Sequence, residues 1–402
     1  MKPGTPVKIH LPSGFHFSAS SAGIKVSGRP DLALAACASG TTAAALFTSN
    51  RVVAAPIEVG RESLVASRGR VRALIVNSGN ANCATGVAGV RSCKQVCSTL
   101  AHTMQISPRE VFPSSTGIIG VPLPVGKIVS KLSELVGRRT ATQESVFDFA
   151  HAIMTTDTRP KLASARVAEK SRTVHLMGIA KGSGMIHPQL ATMLVFLFTD
   201  VAATTTQLRR ELCSVADETF NCISVDGDTS TNDTVLLMAS GQSGVDLRAA
   251  IRSKFHEALR DVCRSLSEQI VADGEGVQHV VRLSIEQARN RDEGMQVART
   301  VAHSLLVKTA FAGADPNWGR ILAAVGRAGI PIDPGRINIS IGDELVCRRG
   351  KRGAYSAKKV HAEMSKSTYE VRIQLGRGQA KASYLTTDLT KEYVHINAEY
   401  ST

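Results

Sequence analysis

The sequence of 402 residues has few aromatic residues, no long apolar run and no paired cysteine motif. Aromatic residues make up only 4% of it, with one tryptophan, which disfavours ligand binding by stacking on exposed aromatic faces. The most apolar run, residues 193–198, is far shorter than the roughly 20 residues of a membrane-spanning helix, and we interpret it as a buried strand. The eight cysteines lack the paired C-x-x-C spacing of a zinc site. No apolar stretch of signal-peptide length occurs near the start. We therefore expect a cytoplasmic protein with no membrane partner, metal or disulfide framework.

What the sequence has in excess is positive charge. Its 48 Lys and Arg residues outnumber 34 Asp and Glu, for a net charge of +14, while 43% of residues are hydrophobic and the mean hydropathy is +0.00. The last two values are typical of a globular protein. The charge predicts an anionic partner, which could be a nucleic acid, an acidic metabolite or a phosphorylated cofactor. A basic run at 348–352 is most simply a solvated surface, and we expect no nucleic-acid partner.

Helical and strand patterns alternate along the chain, which predicts an α/β (α+β) fold. Apolar side chains recur at helical spacing over residues 87–104 and again over 247–270, where the stripe stops near Asp273. Alternation at 281–285 predicts a strand, and the polar run 287–294 is the best candidate linker. We therefore predict a catalytic domain over 1–286 and a smaller C-terminal α/β domain over 287–402.

The segment KGSGMIHPQLATML, residues 181–194, carries the most chemical information. The simplest interpretation is a glycine turn entering a buried strand, with Thr192 as a β-branched filler. A phosphate-binding loop fits poorly, because the lysine precedes the glycines. The functional alternative is a self-cleaving junction: cleavage at Ala191–Thr192 would give an N-terminal threonine whose own α-amine can activate its hydroxyl.

This segment resembles the processing motif of the ornithine acetyltransferase (glutamate N-acetyltransferase) family, the bifunctional arginine biosynthesis proteins. Other blocks match the family in the same order along nearly the whole chain. These blocks are GRPDLALAA at 28–36, FTSNRVVAAP at 47–56, NSGNANCATG at 77–86, STGIIG at 115–120, MTTDTRPK at 154–161, DGDTSTND at 226–233, ADGEG at 272–276, LVKTAFAGADPNWGR at 306–320 and the terminal NAEYST. So many blocks in one order make a chance match implausible.

The resemblance implies a self-processed, N-terminal-nucleophile-like domain with αββα layers. The precursor would cleave itself into fragments 1–191 and 192–402, which stay associated and form an α2β2 heterotetramer. Thr192 would take the acetyl group from N-acetylornithine, release ornithine, and pass the acetyl group to glutamate. No bound cofactor is implied, and acetyl-CoA stays open as a second acetyl donor.

The resemblance also assigns the site residues. Thr116 and Gly117 match the oxyanion hole, and Thr192 and Glu275 complete the catalytic set. Substrate contacts match Thr155, Lys181, Thr192, Glu275, Asn397 and Thr402. Lys181 is the natural partner of the substrate carboxylate and Glu275 of its ammonium group, with proton transfer a weaker second role for Glu275. The last residues would then fold back into the active site.

Two other functions stay open at this point. A related self-cleaving aminopeptidase or amidase would share the terminal nucleophile but deliver the acyl group to water. A basic nucleic-acid-binding protein would show steeply salt-dependent affinity, although the sequence has no recognition motif for it.

Overall fold

A computed structural model describes residues 9–186 and 193–399 of the chain. Three of the predicted site residues, Ala191, Thr192 and Thr402, lie outside the described residues. No helix in the described ranges combines the length and the apolar character needed to cross a bilayer.

The described residues form strands and helices that alternate along the chain. The strands are β1 Phe15–Ser20, β2 Leu32–Cys37, β3 Thr42–Phe47, β4 Ala73–Asn80, β5 Val111–Ile118, β6 Lys161–Glu169, β7 Arg172–Lys181, β8 Leu194–Thr199, β9 Thr234–Ala239, β10 Val280–Ala288, β11 Asn338–Ile341, β12 Glu344–Arg348, β13 Lys351–Arg352, β14 Thr368–Gln374 and β15 Ala380–Thr387. The helices are α1 Ala55–Ala66, α2 Gly86–Met104, α3 Val125–Val129, α4 Leu132–Arg138, α5 Gln143–Ala152, α6 Thr205–Glu218, α7 Ala249–Ala272, α8 Arg291–Ala302, α9 Leu305–Ala312, α10 Trp318–Gly326, α11 Ala357–Met364 and α12 Lys391–Glu399.

Two sheets pack face to face and carry helices on their outer faces. Sheet A has the strand order β1-β2-β4-β5, and sheet B the order β3-β9-β8-β7-β6. Between them lies an apolar layer in which the Phe17 and Phe198 rings meet edge to face, with centroids 5.0 Å apart. On β8, Phe196 faces this layer, whereas Val195 and Leu197 face the core formed with α6 and α7. Helices α1, α2 and α4 cover the other face of sheet A. The predicted αββα order is confirmed.

The two long amphipathic helices lie where their periodicity predicts them. Helix α2 buries its apolar stripe against sheet A and ends at Met104, and the next residue, Gln105, has a left-handed backbone with φ 54°. Helix α7 buries Phe255, Leu259 and Leu266 against sheet B. It ends at Ala272, so that the next residue, Asp273, begins the turn that carries Glu275.

The third sheet, sheet C, has the order β13-β12-β11-β14-β10-β15 and packs on α8 to α11. Its strand β10 is parallel to β14 and antiparallel to β15. We expected this strand in the first domain, but it pairs with C-terminal strands, because its alternate residues Val281, Leu283 and Ile285 belong to the core of sheet C. The polar run 287–294 is not a linker: Asn290 caps α8 by accepting from the Glu293 N–H. The division into two domains stays a prediction.

Candidate active site

Six of the predicted site residues line one pocket where β5, β7, the turn after α7 and helix α12 meet. They are Thr116, Gly117, Thr155, Lys181, Glu275 and Asn397. The rest of the described lining is Ala81, Ile119, Thr156, Gly184, Met185, Ser230, Thr231 and Asn232. Residues far apart in the sequence thus converge on one concave surface.

Thr116 and Gly117 lie at the end of β5, beside the end of the parallel strand β4. Gly117 has a φ of 132° and pairs with Gly79, whose φ is 92°. A Cβ on Gly117 would lie 2.5 Å from the Asn80 nitrogen and 2.6 Å from the Gly79 Cα. Only glycine therefore fits both the backbone angle and the space. The close approach leaves Thr116 and Gly117 on the pocket wall, as an oxyanion hole requires.

Lys181, at the end of β7, is almost fully buried, and its Nζ donates to the Thr116 Oγ1 at 3.0 Å. Burial lowers the pKa of this ammonium group, although Asp157, Asp233 and Glu275 oppose that effect. A threonine oxygen that accepts from an ammonium group still has its own proton to donate. The described contact of Lys181 is thus with the oxyanion-hole candidate, and its predicted contact with the substrate carboxylate stays a prediction.

A buried ionic chain supports the pocket from behind, and the sequence analysis assigned it no role. The Lys161 Nζ lies 2.6 Å from both the Asp157 Oδ1 and the Asp273 Oδ2, and its side chain is 0% exposed. Asp157 also accepts from the Thr155 and Gly182 N–H groups, at 3.0 Å and 2.7 Å. Burial would raise the pKa of Asp157, but the charges of Lys161 and Lys181 outweigh it and lower that pKa to about 2.

The same network of buried ionic and hydrogen-bonding groups extends to Glu275. The Ser183 Oγ donates to the Asp273 carbonyl at 2.6 Å, and the Glu275 N–H donates to the Ser183 carbonyl at 3.3 Å. One buried lysine thus links the segments that carry Thr155, Lys181 and Glu275.

The Glu275 carboxylate lies between a glycine and the last helix. Its Oε2 accepts from the Asn397 Nδ2 at 2.8 Å. A Cβ on Gly184 would lie 2.6 Å from its Oε1. Asn397 is on α12, whose first turn passes so close to Gly276 that a Cβ there would clash with the backbone of Glu392. The return of the C-terminal end to the pocket is thus present as far as residue 399.

Met193, the first described residue after the predicted cleavage position, is firmly held. Its N–H donates to the Asp233 Oδ1 at 3.0 Å, and its carbonyl accepts from the Thr234 N–H at 3.1 Å. Its neighbour Leu194 pairs with Lys181 in the β7–β8 ladder. Burial raises the pKa of the Asp233 carboxyl well above its usual range. The described chain after the predicted cut therefore resumes at Met193, next to the residue that pairs with Lys181.

Comparison with known proteins identifies the family. The model of the ArgJ family matches residues 16–402. The chain belongs to the ArgJ family. Among its curated relatives is the arginine biosynthesis bifunctional protein ArgJ of Neisseria meningitidis, 44% identical over 396 residues, which are 96% of this chain and 95% of the relative.

Solved structures of ArgJ proteins are also similar to this chain. A Bacillus halodurans ArgJ protein is 36% identical, with a TM-score of 0.49, over 51% of this chain and 98% of its own. An ornithine acetyltransferase from Mycobacterium tuberculosis, solved in complex with ornithine, is 33% identical, with a TM-score of 0.39, over 46% of this chain and 94% of its own.

In this ArgJ-family chain, the buried charged residues to which the sequence analysis assigned no role lie in sequence blocks that match the family. Asp157 and Lys161 belong to MTTDTRPK, and Asp226 and Asp233 are the two ends of DGDTSTND. A lysine four residues after an aspartate does not reveal that both are buried. The second ion-pair partner of Lys161, Asp273, is more than 100 residues away, so only the folded chain shows the network.

Proposed function

We propose that this chain is an acetyltransferase of arginine biosynthesis that moves the acetyl group from N2-acetyl-L-ornithine to L-glutamate. The transfer runs through an acetyl-Thr192 intermediate after self-cleavage at Ala191–Thr192. The observation that carries this proposal is the pair Thr116 and Gly117, backed by buried Lys181, in the same pocket as Glu275 and directly beside the start of β8. Family membership favours acetyl transfer over the hydrolysis of an aminopeptidase or amidase.

The chemistry needs a nucleophile, a base and donors for the oxyanion. The Thr192 hydroxyl attacks the acetyl carbonyl, and its α-amine, with an ordinary pKa of about 7.7–8.0, accepts the hydroxyl proton. The Thr116 hydroxyl and the Gly117 N–H stabilise the negative oxygen of the tetrahedral intermediate. The proton then goes to the leaving α-nitrogen of ornithine. In the second half of the reaction, the α-amine of glutamate attacks the acetyl-Thr192 ester, and the Thr192 hydroxyl leaves with its proton restored.

The charges around the pocket suit a substrate with separated charges. Glu275, whose Oε1 faces Gly184, supplies a carboxylate for the side-chain ammonium of ornithine. Lys181 serves the oxyanion hole through Thr116 and offers positive charge towards the substrate carboxylate. Thr155 and Asn397 contribute hydrogen bonds from the pocket wall, and Thr402 completes the substrate contacts.

Cleavage would leave fragments 1–191 and 192–402 bound to each other. Support comes from β7 and β8, which lie on opposite sides of the cut and pair from Leu176 to Lys181. We further propose that two such pairs form an α2β2 heterotetramer, which light scattering after size-exclusion chromatography would measure. The proposed location is the cytoplasm, and no cofactor beyond the substrates is proposed.

The test combines mass spectrometry with an acetyl-transfer assay. Wild-type protein should give two fragments meeting at Ala191 and Thr192, and should release more than one equivalent of ornithine per active site from N-acetylornithine only when glutamate is present. Thr192→Ala should stay one chain and be inactive, whereas Thr206→Ala, at an exposed threonine of α6, should behave like wild type. An active, uncleaved Thr192→Ala enzyme would overturn the proposal, and continued multiple-turnover release of ornithine without glutamate would identify a hydrolase. Acetyl-CoA as the only donor shows whether it is also used.

A further inference from the structure

The carboxylate of Asp226 joins two segments that both end at the candidate active site. Its Oδ1 accepts from the Ile186 N–H at 2.8 Å and from the Asp228 N–H at 3.2 Å. Its Oδ2 accepts from the Met185 N–H and from the Tyr393 Oη, the latter at 3.4 Å. Four donors on one carboxylate use its full acceptor capacity.

The first of these segments is the end of the described chain before the predicted cut. Met185 has a φ of 61°, a left-handed backbone that is unfavourable for a non-glycine residue and is stabilised here by hydrogen bonds. The two adjacent N–H groups of Met185 and Ile186 both point at Asp226. The same turn brings Gly184 against the Glu275 carboxylate, so its shape matters to the pocket.

The second segment is α12. Tyr393 and Asn397 are four residues apart and therefore share one face of the helix. Tyr393 contacts Asp226, and Asn397 contacts Glu275. Helix α12 is thus fixed to the pocket at two points, Asp226 and Glu275. Asp226 also holds the segment before the predicted cut, so it is the contact that the two segments have in common.

We propose that Asp226 is a positioning residue that fixes the turn before the cleavage site and the C-terminal helix in one arrangement. We call the hydrogen bonds of the Asp226 carboxylate to Met185, Ile186 and Tyr393 the Asp226 clamp. The hydrogen bonds to Met185 and Ile186 serve self-cleavage. The hydrogen bond to Tyr393 serves substrate binding, because it holds Asn397 and Glu275 in place. The roles in self-cleavage and substrate binding rest on the proposed function. The hydrogen bonds of the clamp can be measured by hydrogen exchange whether or not that function is correct.

The test compares three substitutions. Asp226→Asn keeps the size of the side chain but replaces one acceptor oxygen by an NH2 group that faces N–H donors. Losing charge-assisted hydrogen bonds in this way should slow precursor cleavage about 10- to 100-fold in a cell-free translation time course. Tyr393→Phe should cleave at the wild-type rate but raise the KM for N-acetylornithine about tenfold with little change in kcat. Asp228→Asn, which changes an exposed neighbouring carboxylate and keeps the backbone donor, should match wild type.

Hydrogen exchange followed by mass spectrometry separates the clamp from the proposed function. The Met185 and Ile186 amides should exchange at least tenfold faster in folded Asp226→Asn than in Asp228→Asn, with the thermal midpoint checked for each variant. If wild type neither cleaves nor transfers acetyl groups but this difference is seen, the proposed function fails and the clamp stands. Equal exchange in the two variants would overturn the clamp. If wild type does cleave, cleavage of Asp226→Asn at the wild-type rate, or equally slow cleavage of Tyr393→Phe, would overturn it too.

Discussion

Gly117→Ala is the sharpest test of the oxyanion hole, because the structure fixes what the added methyl group would meet. The new Cβ would lie 2.5 Å from the Asn80 nitrogen and 2.6 Å from the Gly79 Cα, whereas non-bonded atoms rest at about 3.5–4.0 Å. Both are backbone atoms of β4, so no side chain can turn away. The ends of β4 and β5 must therefore separate by about 1 Å.

That displacement sets the expected size of the effect. A misplacement of about 1 Å can cost roughly 10²-fold in rate, and loss of one oxyanion donor costs about 10²–10³-fold, or roughly 2.7–4 kcal/mol. We therefore expect kcat for glutamate-dependent ornithine release to fall at least 10²-fold in Gly117→Ala. Crowding and backbone strain should together lower the free energy of unfolding by about 1–3 kcal/mol, which urea titration measures.

Gly120→Ala is the matched control. Gly120 also has a positive φ, 83°, but a Cβ added there would have open space around it, with no atom beyond its chain neighbours within 4 Å. It should lose about 1–2 kcal/mol of stability from strain alone and keep nearly all of its activity. The reasoning would be refuted if Gly117→Ala kept a kcat within threefold of wild type, or if Gly120→Ala lost as much activity.

Three further predictions concern the pocket and its support. Thr116→Val should lower kcat about 10²-fold while Thr116→Ser keeps most of it; equal steady-state rates for valine and wild type would contradict the oxyanion role. Asp157, with its pKa lowered to about 2, stabilises the fold fully above its unfolded pKa of about 3.9 and loses that effect as the pH falls towards 2. Unfolding of Asp157→Asn, followed by circular dichroism, should therefore depend less on pH in this window than that of wild type, and an unchanged slope would speak against the buried charge. Gly184→Ala should displace Glu275 and raise the KM for N-acetylornithine about tenfold, whereas Gly126→Ala, with open space around it, should not; equal KM values would exclude the close contact.

Much of the fold follows from local patterns. The stripes that predicted α2 and α7 are buried over their expected lengths, because apolar residues at spacings of three and four can leave water only on one face of a helix. Strand β8 also lies within one residue of its prediction. Sheet membership does not follow from such patterns. The alternation in β10 predicts a strand equally well in either predicted domain, and only pairing with the distant strands β14 and β15 places it in sheet C.

The site divides in the same way. Motif matches predicted the residues that line the pocket, and Thr116, Lys181, Glu275 and Asn397 do meet there. The ionic network through Lys161 could not be predicted, because a lysine is normally exposed and its burial here depends on Asp157, four residues before it, together with Asp273 from a distant segment. The contact between Lys181 and Thr116 likewise depends on sheets A and B facing each other.

The strand order of sheet B constrains when the proposed cleavage can take place. Strands β8 and β9 come from residues 192–402 but lie between β3 on one side and β7 on the other, both from residues 1–191. Made separately, each piece would expose strand edges with unpaired N–H and C=O groups, which promote aggregation. Under the proposed cleavage, the polypeptide would therefore fold as one molecule before the bond between Ala191 and Thr192 is cut. Synthesis of the two pieces from separate genes should yield insoluble protein, whereas the proposed cleavage in place should leave the same pieces associated.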